Sequence, residues 1–299
     1  MARQSRFYLA RVLKRGELTK EKIVEAMRDP VTVEFRGTRY SFTDFRAFGG
    51  SGQGNGFYAR LAKYRQQGAV SVVREDEHES AEAEVRNLID ASSAFVYLPD
   101  YSGLAYRHIW NSLPREQFER VFKELIEFKY ILAGCDIDPV TDLRTFVMRL
   151  SRLDRITELQ ATVSPPNPLF APCWKSLGDY LRKRRLTEIQ IKEQAEGGID
   201  TRVKEIAEAV LQKDTSSNRV LEMMEPLLDG VGDAALLMAA DGYGRARVRG
   251  RENDQEVVIR TSENQKSFML DADPDPEVLF ERAFAVFRQI SEERGLEHP

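Results

Sequence analysis

The sequence predicts an α+β protein: a mixed, mostly antiparallel sheet with flanking helices, in two lobes joined by a helical segment. Three observations lead there. Short runs with alternating apolar residues recur in both halves of the chain, several joined by tight turns. Runs with apolar residues at helical spacing fall between them. The 299 residues are 42% hydrophobic and 31% charged, enough apolar material for real cores under a polar surface.

Taken in order, Arg6 to Lys14 alternates and reads as a first strand, and Glu17 to Arg28 reads as a helix ended by Pro30. Val31 to Phe45 is a hairpin around Arg36-Gly37. The glycine stretch "AFGGSGQGNG" follows. It lacks the lysine of a phosphate loop and the glycine spacing of a dinucleotide fold, so it reads as a flexible loop between strands. "FYARLAKYR" and "AVSVV" are strands, and the acidic run Glu75 to Glu84 leads into an expected helix through Ile89. "SSAFVYLPDYSGLAYRHI" is a second hairpin turning at Pro99 to Gly103. Pro114 opens a helix with Phe118, Val121, Phe122 and Leu125 on one face. Val140 to Leu153 is another helix, and "ITELQATV" is a strand.

Ser164-Pro165-Pro166-Asn167-Pro168 is the strongest break in the chain. It sets the expected organisation: an α+β domain over 1–168, a helical connector over 169–213, and a C-terminal hairpin-plus-helix region over 214–299. Helices are expected at Trp174 to Ala195 and Arg202 to Gln212, then a polar linker at Lys213 to Arg219. In the last region a short helix, a strand pair and a terminal helix are expected. That helix has Asp275 as cap, Pro276 at its first position and Gly295 past its end.

No run of 18 apolar residues occurs and no basic-then-apolar leader opens the sequence, so a cytoplasmic protein without membrane insertion is expected. Cys135 and Cys173 make no disulfide framework. The histidines, His78, His108 and His298, support no catalytic arrangement. Asp136 and Asp138, in "CDIDP", are the residues on which a metal-dependent nuclease or toxin would draw; their place between two helices reads more simply as a turn. No cofactor is expected.

The segment most informative about function is "DGYGRARVRGRENDQEVVIRT", Asp241 to Thr261. Arg245, Arg247, Arg249 and Arg251 take every second position, so as a strand they share one face. Pairing Arg251 with Glu256 across the "ENDQ" turn sets Arg247 opposite Arg260. It also puts Ala246, Val248, Val257 and Ile259 on the other face. Like charges in register repel, and arginines ~6.6–6.8 Å apart along a strand suit a phosphate backbone. The expected function is therefore non-catalytic nucleic-acid binding, DNA before RNA, through Arg245, Arg247, Arg249, Arg251 and Arg260. Arg182, Lys183, Arg184 and Arg185 are expected as auxiliary contacts. Four or five phosphate contacts predict a log–log salt slope of roughly −3 to −4.5. The net charge of −4 confines any such binding to a local face. Otherwise the arginine face docks an acidic protein surface, such as the 75–84 run of a second copy.

"NGFYARLAKYR", "SSAFVYLPDYSGLAYRHI", "RLDRITELQATVSPPNP" and "ADGYGRARVRGRE" follow one another in an order that resembles a loosely defined group of uncharacterised bacterial proteins from phage-related loci. In layout the chain is also similar to the phage lambda Rex exclusion protein A. The resemblance implies a homodimeric, DNA-associating protein in phage exclusion or defence. It assigns no individual residue.

Overall fold

Alternation in the first apolar run sends its side chains to two separate cores. Phe7, Leu9 and Leu13 join one, and Ala10 and Val12 join the other. The computed structural model describes residues 4–50, 53–74, 79–166, 169, 174–203, 205 and 230–296. Cys173, His78, His298, the linker at 213–219 and most of the helix expected at 202–212 lie outside the described residues. The elements run β1 (Gln4–Gly16), α1 (Lys20–Arg28), β2 (Val33–Phe35), β3 (Thr38–Gly50), β4 (Gln53–Arg74), β5 (Glu79–Leu98) and β6 (Gly103–Arg107). They continue with α2 (Arg115–Lys129), β7 (Ala133–Pro139), α3 (Leu143–Ser151), β8 (Arg155–Val163), α4 (Lys175–Lys183) and β9 (Ile189–Gln194). The last are α5 (Val231–Ala240), β10 (Gly244–Glu252), β11 (Gln255–Arg260), β12 (Ser267–Asp271) and α6 (Pro276–Arg294).

The fold is α+β. One sheet has eight strands in the order β12-β1-β6-β5-β4-β3-β2, with β7 also pairing β1; the other has four, β11-β10-β8-β9. All the strand pairs among the described residues are antiparallel. Helices α1 and α2 cover one face of the large sheet, burying Ile23, Met27, Phe118 and Phe122 with Phe42, Phe95 and Tyr97. Helix α6 covers the opposite face through Leu279, Phe280, Phe287 and Ile290, in a core shared with α3, α5 and the small sheet. The helix termini follow the sequence signals: Thr19 and Asp275 accept hydrogen bonds from Lys22 N and Glu277 N, and Gly295 closes α6 at φ +55°.

Four expectations need correction. The glycine stretch is no slack loop: β3 runs to Gly50, β4 starts at Gln53, and Phe48 pairs with Gly56. Its glycines let α6 approach the strand, since a Cβ on Gly56 would lie 2.2 Å from the Phe280 ring and one on Gly54 2.7 Å from Phe284. The helix expected up to Ile89 is strand β5, because Ala81, Ala83 and Val85 alternate with Glu82, Glu84 and Arg86 against Val70 and Val72 of β4. The helix expected to Ala195 stops at Lys183. Arg185 takes a left-handed conformation (φ +56°), and Ile189 and Ile191 alternate with Gln190 and Lys192 as β9. "CDIDP" is strand β7, not a turn.

β10 pairs with β8, and β12 pairs with β1, so the C-terminal region completes both sheets. A buried polar knot ties them together. Arg294 donates to Asp241 Oδ1 and Thr141 O at 2.5 Å each, and Trp174 Nε1 donates to Asp241 Oδ2 at 2.7 Å. Arg11 donates to Asp241 O at 2.7 Å and lies over the Tyr243 ring, 5.1 Å from its centroid. Strand β1, the α5–β10 junction, the start of α4 and the end of α6 thus meet at Asp241, β1 through its backbone carbonyl and the others through its carboxylate.

Candidate nucleic-acid interface

The small sheet hides one face and shows the other. Ala161, Leu159, Ala246, Val248 and Ile259 are buried in the core shared with α5. On the opposite face stand Arg245, Arg247, Arg249 and Arg251 of β10 and Arg260 of β11. Their side chains are between 40% and 61% exposed. The register is the one the alternation demands: Arg251 opposite Glu256, Arg249 opposite Val258, Arg247 opposite Arg260. On the other side of β10, Gln160 stands opposite Arg247 and Thr162 opposite Arg245, with Lys192 of β9 beyond Gln160.

Repulsion along the row is relieved from within the protein. Arg245 pairs with Asp138 of β7 at 2.7 Å, and Arg247 with Glu158 of β8 at 3.1 Å. Arg249 pairs with Glu256 at 3.3 Å, Arg251 approaches Asp254 at 4.0 Å, and Arg260 pairs with Glu263 at 2.8 Å. Carboxylates of the protein itself therefore already balance the row, and no outside anion is needed to offset the repulsion.

These partners fall into two classes. Asp138 and Glu158 are 9% and 8% exposed, so their arginines neutralise charges that cannot reach water. Burial pushes the Asp138 carboxyl above its ordinary range, against the pull of Arg245. Asp254 and Glu256 are 99% and 63% exposed, and Glu263 is 34% exposed. Exposed ion pairs contribute only ~0–1 kcal/mol, so Arg249 and Arg251 exchange partners at little cost. Arg260 shares Glu263 with Arg149, which leaves that acid a cation if Arg260 turns away. The row thus has two structural arginines and three exchangeable ones.

The auxiliary cluster stands at the end of α4 and in the turn after it. Arg182 and Lys183 end α4, which packs against α5 in the layer behind the buried face of the sheet. Arg182 pairs with Asp179 at 3.0 Å, and Arg184 lies over the Tyr180 ring. Arg182, Lys183, Arg184 and Arg185 are exposed.

The carboxylates considered for metal chemistry are both engaged. Asp136 accepts from Arg15 at 2.8 Å and Lys123 at 3.3 Å, and Asp138 is held by Arg245. Burial alone would raise Asp136, but Arg15 and Lys123 outweigh it and hold the carboxyl below its ordinary value. Among the described residues no three His, Cys, Asp or Glu side chains are grouped to hold a metal.

Sequence reasoning missed a cavity of about 540 Å³ beside the arginine face, lined by Arg6, Tyr8, His108, Trp110, Arg115 and Asn264, among others. Glu263, also on its wall, is the partner of Arg260. The "YRHIW" segment carries two of the aromatic lining residues, and their clustering in sequence was the available signal.

No curated protein matches the chain in sequence. A model described as a domain of unknown function, DUF4747, matches residues 17–216, about two thirds of the chain. The chain belongs to the DUF4747 family.

Proposed function

We propose that this protein binds a nucleic-acid backbone on the exposed face of its small sheet. The role implied by its resemblance to phage-locus proteins is exclusion or defence, acting as a homodimer. The observation that carries the reading is the row Arg245–Arg251 with Arg260, held in one register on a face that no described helix covers. Each guanidinium has five donors, and a single carboxylate uses at most two, so donors remain for phosphate even in the paired state. Arg249, Arg251 and Arg260 take the phosphates by exchanging their exposed partners. Arg245 and Arg247 stay with Asp138 and Glu158 and hold the strand in place.

Three exchanging contacts predict a log–log salt slope of roughly −2 to −2.7, shallower than five free arginines would give. Filter binding of labelled DNA and RNA across a salt series tests this. An R249A/R251A/R260A variant should bind weakly and lose most of the slope. Unchanged affinity and slope in that variant would refute the reading.

A second reading draws on Glu82 and Glu84, which stand exposed on one face of the β4–β5 ribbon. In that case the arginine face docks the ribbon of a second copy. Size-exclusion runs at low and high salt separate the two, because such a dimer dissociates as salt rises.

A further inference from the structure

We propose that the cavity walled by Tyr8, His108 and Trp110 seats an unpaired nucleobase, supplied by a single strand or by a free nucleotide. The strand form rests on the backbone reading above; the free-nucleotide form does not.

Three observations carry it. The first is the aromatic wall. Tyr8 and His108 stack at 4.6 Å with an interplanar angle of 20°, and Trp110 meets His108 edge-on at 5.4 Å. Behind them Tyr106 stacks on Phe118 at 4.5 Å, so the wall is anchored in the core. The Trp110 residue is 80% exposed. Its turn is fixed by Ser112 N and Leu113 N, which donate to Ile109 O at 3.1 and 2.8 Å. A large ring exposed on such a turn offers an open stacking surface.

The second is the polar lining. The Asn264 Nδ2 donor and His108 Nδ1 are buried without hydrogen-bond partners among the described residues. A base edge supplies the acceptors and donors that such groups lack. Burial also lowers the His108 pKa, which favours the neutral ring.

The third is charge. Arg6 is exposed and has no ion pair among the described residues, so it is available to a phosphate at the cavity mouth. Arg115 is tied to Glu119 at 2.8 Å and adds positive potential. Two arginines on the wall disfavour a quaternary ammonium, the other ligand that aromatic walls attract. Glu116 also lines the cavity, while Asp142 and Glu263 are committed to Lys266, and to Arg149 and Arg260. The size lies within the ~300–1,000 Å³ of small-molecule sites.

The two tryptophans make the test direct, because Trp174 is buried and Trp110 is not. A short single-stranded oligonucleotide, the same sequence as a duplex, and AMP are each titrated against tryptophan emission. The single strand should quench Trp110 and shield it from iodide. W110A should weaken single-strand binding about tenfold, W110F less, with melting temperature unchanged. The duplex should bind equally well to wild type and W110A. Quenching by AMP alone assigns the site to free nucleotides, and quenching by the strand alone assigns it to nucleic acid. Absence of quenching and of iodide shielding with both ligands overturns the proposal. If duplex filter binding then persists, the sheet face stands without the pocket. If AMP quenches while R249A/R251A/R260A binds nucleic acid normally, the pocket stands without the sheet face.

Discussion

What an arginine on the small sheet can do depends on the acid beside it. Arg245 caps a carboxylate that is almost wholly buried, so removing it leaves a charge stranded, whereas Glu158, the buried partner of Arg247, also has Lys192 at 3.7 Å. Stranding a fully buried charge costs ~3–5 kcal/mol; with Arg245 more than half exposed, R245A is expected to cost about 1–2 kcal/mol of stability. Urea unfolding checks this, and the same melts should show R251A close to wild type. Asp136 supplies a pH test. Its folded-state pKa is depressed, so the stability it contributes is present above its ordinary value and lost as pH falls through the folded one. D136N should therefore be less stable than wild type by about 0.5–1 kcal/mol at neutral pH and equal to it in strong acid. At this scale the register Arg251–Glu256 was legible, because two alternating runs and one turn admit only that pairing. The acids that neutralise the row were not. Asp138 and Glu158 lie 107 and 89 residues from Arg245 and Arg247, and only the fold brings them close.

Among the elements, α6 and the β3–β4 hairpin show what the glycine stretch is for. Phe280 stacks on Phe48 at 5.0 Å and its ring fills the space over Gly56. A methyl group there has no room, so G56A should destabilise the fold by about 1–3 kcal/mol, read from urea melts. A substitution at Gly37, whose added Cβ would meet nothing within 4 Å, controls for loss of glycine itself, though its φ of +75° adds local strain. The β4–β5 ribbon makes the opposite prediction. Beyond Tyr64 and Ala91 its strands have ladder partners only in each other, and a two-stranded ribbon is marginal in water. Its amides at 65–73 and 80–89 should exchange with deuterium well before those of β1 and β6. The β4 half of this ribbon was legible as strand, but the β5 half reads as a helix because glutamate and alanine favour helices, whereas the decisive signal was their period-two alternation facing Val70 and Val72. Helices α2, α3 and α6 were legible because their apolar faces and caps are local features.

For the whole molecule, the Arg11–Asp241–Arg294 knot joins β1, the α5–β10 junction and the end of α6. It was invisible in the sequence because its members are 230 and 53 residues apart. D241N leaves Arg294 and Arg11 buried without their counter-charge, so a loss of about 3–5 kcal/mol is expected, with both sheets melting in one transition. Two separate transitions would mean that the sheets fold independently. The arginine face is tied to the large sheet separately, since Arg245 spans from the small sheet to Asp138 of β7. Under the proposed function, three exchangeable arginines on that face take phosphates. The most direct measurement is the salt dependence of nucleic-acid binding by wild type and R249A/R251A/R260A, side by side. A wild-type slope of roughly −2 to −2.7 that collapses in the variant is the predicted result. Equal slopes, or no binding by the wild type at low salt, would contradict it.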